Sequence, residues 1–138
     1  MQRMNILFFL TPKSEVAHIH DDNSLEKVLC KMEQYQYSAV PMIDRKGHYI
    51  GTITEGDAMW YIRHHKLWGK DLHKIPVTDV NRRMDNRAVS IDVNIEDLVA
   101  VSMVQNFVPV VDDDNIFIGI VKRKDIIEYC FKRMQKES

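Results

Sequence analysis

Val40-Pro41-Met42-Ile43-Asp44 returns 68 positions later as Val108-Pro109-Val110-Val111-Asp112, and this recurrence decides the fold. At the same shift Tyr49-Ile50-Gly51-Thr52-Ile53 becomes Phe117-Ile118-Gly119-Ile120-Val121, and Asp57 becomes Asp125. Between positions 40 and 57 six residues are identical in the second copy: Val40, Pro41, Asp44, Ile50, Gly51 and Asp57. Ordinary composition would supply about one. Upstream, Val16-Ala17-His18-Ile19 resembles Ala88-Val89-Ser90-Ile91, with small length changes between. The chain is two copies of one unit.

Each copy reads as strand, helix, strand, strand, helix, which is an α+β pattern. In the first, Val16 to Ile19 forms a short strand, and Ser24 is placed to cap a helix with Leu25, Val28, Leu29 and Met32 on one face. Val40–Asp44 and Tyr49–Ile53 are strands joined by the turn Arg45-Lys46-Gly47-His48. A helix follows from about Thr54, carrying Ala58, Met59, Tyr61 and Ile62. The second copy repeats this with a strand at Ala88–Ile91. Asn94 caps a helix carrying Ile95, Leu98, Val99 and Met103, and a hairpin turns at Asp113-Asp114-Asn115. A last helix from about Arg123 is expected to carry Ile126, Ile127, Tyr129 and Phe131 inward. One unit alone leaves an apolar sheet face exposed, which a second copy can cover. That predicts two βαββα repeats packed by their sheets as a pseudo-twofold pair, divided into residues 1–75 and 76–138.

The first of those segments includes the apolar run Ile6 to Leu10, too short to span a bilayer and short for a secretory signal. It is expected to form a short helix, ended by Pro12, that tucks Leu7, Phe8 and Leu10 into the core. The bridge from His64 to Val80 holds Trp68, Leu72, Ile75 and Val77 and lacks Gly/Ser-rich composition, so it reads as packed and partly helical. The whole chain has 138 residues, 45% apolar and 28% charged, within the range of one ordinary globular domain. Lysine plus arginine number 19 against 20 acidic residues. That balance argues against non-specific binding to nucleic acid or an anionic membrane. Cys30 and Cys130 form no Cys-x-x-Cys pair, which argues against a disulfide scaffold or cysteine zinc site and points to a reducing cytoplasm.

The ordered set of apolar-Pro-apolar-apolar-Asp, apolar-Gly-x-apolar and Thr54-Glu55-Gly56-Asp57, occurring twice over nearly the whole chain, resembles tandem cystathionine-β-synthase (CBS) domains, the Bateman module. The resemblance implies a regulatory sensor with no catalytic activity and no required cofactor. It implies an adenosine-containing ligand: AMP, ADP, ATP, S-adenosylmethionine or cyclic di-adenosine monophosphate. It also implies a base lodged near Val16, Ala17, Ser38 and Ala39 in the first copy and near Ala88, Val89, Phe107 and Val108 in the second. Two departures stand out. Ile6 to Pro12 replaces the commoner Asp-Ile-Met lead-in, and Lys122 replaces the threonine of the second Thr-x-x-Asp.

Thr54 and Asp57 have the spacing of a capping box, which needs no ligand. The functional alternative has the Asp57 carboxylate accept two hydrogen bonds from a ribose diol while Thr54 and free helix amides face phosphate. Asp125 persists with no threonine to cap with, which favours the ligand reading. Lys122, Arg123 and Lys124 at a helix start oppose the helix dipole and so hint at a neighbouring anion. His18 and His20 would share one strand face beside Asp21 and Asp22, but no third metal ligand has recognisable spacing, and no metal site is assigned. His64 and His65 read as a solvated helix end, and Trp60, Trp68 and the methionines as core or interface. No nucleophile, base and orienting-residue constellation is visible. The expectation is a non-enzymatic, cytoplasmic adenine-nucleotide sensor that forms a homodimer and passes occupancy to an effector protein. The competing expectation is a structural dimerisation module with empty pockets.

Overall fold

A computed structural model of the chain describes residues 5–69, 71–83 and 86–137. In chain order the strands are β1 (Leu10–Pro12), β2 (Ile19–His20), β3 (Ala39–Ile43), β4 (Tyr49–Thr54), β5 (Val89–Ser90), β6 (Phe107–Val111) and β7 (Phe117–Lys122). The helices are α1 (Leu25–Tyr35), α2 (Glu55–His64), α3 (Ile95–Ser102) and α4 (Arg123–Glu137). The βαββα unit therefore occurs twice, in an α+β fold. The chain divides into two compact units: Ala17–Asp85, and Met1–Val16 with Asn86–Ser138.

In the first unit the sheet order is β2-β3-β4, with β2 parallel and β4 antiparallel to β3. Pro41 is tolerated in the central strand because pairing with β2 begins only at Met42, one residue beyond it. Ser24 accepts the Lys27 N–H at 3.2 Å and caps α1. Leu25, Val28 and Met32 recur at helical spacing and are buried against Ile19, Val40, Met42 and Ile53. The bridge packs as expected in part: Val77 and Val80 enter this core, with Leu72 and Ile75 against it. Backbone bonds from Leu25 N to Ile75 O (2.8 Å) and Val77 N to Asn23 O (2.9 Å) hold it there. Trp68, by contrast, stays exposed.

In the second unit the order is β1-β7-β6-β5. Val89 lies opposite Val110 in the parallel pair, and Val108 opposite Val121 in the antiparallel one. The core joins these valines to Leu98, Val101, Ile126 and Ile6. Asp44 and Asp112, identical in the repeat, do the same job in each hairpin. Asp44 Oδ1 accepts the N–H groups of Lys46 and His48, and Asp112 Oδ1 those of Asp114 and Ile116, all at 2.9–3.0 Å.

Three expectations need correction. The N-terminal segment is not a helix of the first repeat. After one 3-10 turn at Ile6–Phe8 it becomes strand β1, which pairs with β7 of the second repeat: Leu10 opposite Val121, Thr11 opposite Ile120, Pro12 opposite Gly119. Ile6 takes the core place, while Leu7 faces solvent and Phe8 is 84% exposed. Gly119 makes the pairing possible. Its φ is +155°, and a Cβ built there would lie 2.2 Å from the Thr11 carbonyl oxygen. The compact units accordingly divide after Val16 and after Asp85, with Val77 and Val80 in the core of the first repeat. Second, the opening strands are shorter than expected, since a 3-10 turn closed by Val16 N–H to Lys13 O (3.2 Å) precedes β2. Third, Met103 lies beyond the end of α3 and is exposed, and the inward stripe of α4 is Ile126 and Cys130. Ile127 and Phe131, one position on, are rotated about 100° round the helix and face out.

Candidate functional site

Both candidate carboxylates stand at the point where the last strand of a repeat, β4 or β7, runs into a helix. In the first repeat β4 ends at Thr54, whose extended backbone lets its hydroxyl accept the Asp57 N–H at 3.1 Å. Asp57 Oδ2 in return accepts the Thr54 N–H at 3.0 Å, which completes a capping box. The second carboxylate oxygen is also engaged, accepting the Arg83 N–H at 3.0 Å. Asp57 is 3% exposed. The cleft beside it measures about 120 Å³ and is bordered by Trp60, Tyr61, His64, His65, Asn81 and Arg83. Aromatic contacts fill its walls: the Arg83 guanidinium lies 5.1 Å from the Trp60 ring centre, and Tyr61 stacks on His65 at 4.1 Å.

In the second repeat the residue before α4 is Lys122, which has no side-chain acceptor, so no reciprocal box is possible. Asp125 is half-buried, and among the described residues no hydrogen bond or ion pair engages its carboxylate. It borders a cleft of about 430 Å³ with Phe8, Phe9, Thr11, Tyr129 and Lys132. Phe9 meets Tyr129 edge to face at 4.9 Å, and Lys132 pairs with Glu128 at 3.0 Å.

The remaining sequence-predicted residues divide by role. Arg123 is committed to the fold: its Nε donates to Ser102 O at 2.7 Å at the end of α3, where a cation complements the helix dipole. Lys122 is half-buried and Lys124 exposed. Val16, Ala17, Val89, Phe107 and Val108 are buried, Ala39 and Ala88 half-buried, and Ser38 exposed. The Ser38 carbonyl accepts the Glu55 N–H at 2.9 Å, and the Asn106 carbonyl accepts the Arg123 N–H at 3.1 Å, the same joint in both repeats. Of the second-copy candidates only Asp125 borders the 430 Å³ cleft.

Its other walls were missed by sequence reasoning because the N-terminal segment was expected to be a short helix and not a strand paired with β7. The Phe9–Thr11 segment next to a helix bearing Tyr129 and Lys132 was the available signal. Gln105 was missed too. It is buried and holds the approach to β6, accepting the Arg87 N–H at 2.6 Å and donating to the Arg87 and Phe107 carbonyls at 3.1 Å.

The histidines of β2 sit close, with ring centres 5.7 Å apart. Burial first, then the Arg45 charge, holds His20 below the ordinary imidazole range. Arg45 itself grips Asp22 through two bonds of 2.7 and 2.8 Å, which lowers the Asp22 carboxyl. Among the described residues no three His, Cys, Asp or Glu side chains converge in a way that could hold a metal ion. No helix among them is long and apolar enough to cross a membrane.

The sequence pattern of the CBS domain matches the chain twice, at residues 9–64 and 77–132. Inosine-5'-monophosphate dehydrogenase of Helicobacter pylori is 30% identical over 114 residues, which is 80% of this chain but 22% of that enzyme. The crystal structure of a CBS domain protein from Streptococcus pneumoniae superposes with a TM-score of 0.82 at 27% identity, covering 93% of this chain and 87% of that one. Listeria monocytogenes CbpB, solved in complex with c-di-AMP, gives 0.83 at 25% identity, covering 96% and 98%.

Proposed function

Because the chain belongs to the CBS-domain family and carries that domain twice, we propose that it is a regulatory adenine-nucleotide-binding module that passes ligand occupancy to a partner protein. The single observation that carries this reading is Asp125. Among the described residues its carboxylate is without a protein partner, and it borders an aromatic-edged cleft whose volume falls in the range of small-molecule sites, about 300–1,000 Å³. A carboxylate accepts both hydroxyls of a ribose diol, tyrosine and phenylalanine rings offer apolar surface to a base, and Lys122 and Lys124 at the same helix start draw phosphates. The complex of CbpB with c-di-AMP supports an adenosine-containing ligand, and AMP, ADP, ATP and S-adenosylmethionine share that chemistry.

The module acts by binding and not by catalysis, with no cofactor. The chain spans about a fifth of the dehydrogenase it resembles, so that enzyme's chemistry is not carried over. Binding shifts the population between two arrangements of the protein, and a partner in the cytoplasm reads the shift. The face for a second copy is the exposed stripe Ile127, Phe131 and Met134 along α4, at i, i+4 and i+7.

That same stripe favours a second reading, a structural dimerisation module with empty pockets. A thermal-shift screen with AMP, ADP, ATP, S-adenosylmethionine and c-di-AMP separates the two. At a ligand concentration 100 times Kd a true ligand adds about 2.7 kcal/mol and raises the melting temperature. An unchanged melting temperature across the panel leaves only the structural module.

A further inference from the structure

We propose that the two repeats have divided their inherited aspartates between two tasks: Asp57 is a latch that holds the Asn81–Arg83 segment, and Asp125 alone receives ligand, one molecule per chain. The inference rests on the nucleotide-sensor reading and adds which repeat is competent.

Both oxygens of Asp57 accept backbone N–H groups at 3.0 Å, from Thr54 and Arg83, and burial excludes water as a competitor. A ribose diol would have to displace the Arg83 amide, leaving a backbone donor in want of a new acceptor. The adjoining cleft of about 120 Å³ is well below the small-molecule range, and Trp60, Arg83, Tyr61 and His65 already stack on one another across its walls.

At Asp125 each of these features is reversed. Lys122 cannot form the reciprocal cap, and the neighbouring chain segment, Leu10–Pro12, is held by its pairing with β7. Among the described residues no amide donates to the carboxylate, and the cleft is more than three times larger, near 430 Å³. Its contents are mixed in the manner a nucleoside requires. Asp125 and the Thr11 hydroxyl offer polar contacts, and Phe8 and Tyr129 offer ring surface. Phe8, 84% exposed at the rim, is the side chain with most to gain from a stacked base.

The test uses the full chain and titration calorimetry with AMP, whose single ribose makes the count unambiguous, with c-di-AMP in parallel. The wild type is expected to saturate at one AMP per chain. Asp125→Asn should weaken binding at least tenfold while the ligand-free melting temperature stays within about 1 °C. Asp57→Asn should lower the ligand-free melting temperature by about 5 °C or more and leave the AMP affinity of the folded protein within twofold. Two AMP per chain, or affinity lost on Asp57→Asn and kept on Asp125→Asn, overturns the division of tasks while leaving the sensor reading intact. Equal loss of ligand-free stability in the two variants overturns it as well, without any ligand. If neither nucleotide binds the wild type, the sensor reading itself has failed.

Discussion

The first repeat closes its strand-to-helix joint with side chains, and the second leaves the same joint open. Thr54 and Asp57 satisfy each other and pin Arg83, whereas Lys122 and Asp125, 68 positions on, make no such contact. Their backbones are near copies, down to the Ser38 and Asn106 carbonyls that receive the first helical amides. The difference teaches that an aspartate retained in a duplicated unit need not keep one role. A carboxylate that accepts two backbone amides becomes part of the fold, and the same group beside a lysine and an aromatic cleft stays available.

The sharpest way to break the comparison is at Gly119. Replacing it with Ala drives a Cβ into the Thr11 carbonyl, and the obstacle is backbone that cannot rotate away. We expect a loss of about 3 kcal/mol, the upper end for overpacking, with β1 released. Hydrogen exchange should show amides of residues 118–121 losing protection while those of 40–43 keep theirs. Next in size is Asp57→Asn, which leaves one acceptor oxygen for the two amides of Thr54 and Arg83 and should cost about 2 kcal/mol in urea unfolding, against under about 0.5 for Asp125→Asn. Smaller still is Lys122→Thr, which installs the missing hydroxyl before α4. It should stabilise the protein by about 1 kcal/mol, and if the box then engages Asp125, AMP affinity should fall as stability rises.

Acid offers the gentlest probe of the asymmetry. Asp22 is held low by its Arg45 bonds. Desolvation pushes Asp44 up, but the opposing hydrogen bonds from His48 and Lys46 leave it below the usual range. Carboxyls with lowered folded values contribute stability above about pH 4, lost as pH falls through those values. His20 is also held low, so its protonation favours the unfolded chain, and stability declines as pH drops below about 6.5. All three lie in the first repeat, so NMR signals of residues 19–54 should broaden before those of 107–122 on acidification.

Much of the fold was legible because its signals are local. Ser24 and Asn94 cap α1 and α3 from within a few residues, and the hairpin aspartates bond to amides two and four positions ahead. Helix faces were read less well. Ile127 and Phe131 look like core by composition, yet Ile126 and Cys130 are the residues turned inward, and a shift of one position is invisible to apolar content alone. The candidate site was legible only at Asp125. Its companions Phe8, Phe9 and Thr11 belong to a segment whose extended form depends on a partner strand at the other end of the chain.

The repeated motifs by themselves dictated two βαββα units and their family, since strand alternation, caps and turn chemistry act over fewer than about ten residues. Which sheet the first strand joins, and which aspartate has no partner among the described residues, were decided in three dimensions. Both depend on groups far apart in sequence coming within 3 Å or failing to, and only the folded chain fixes such distances.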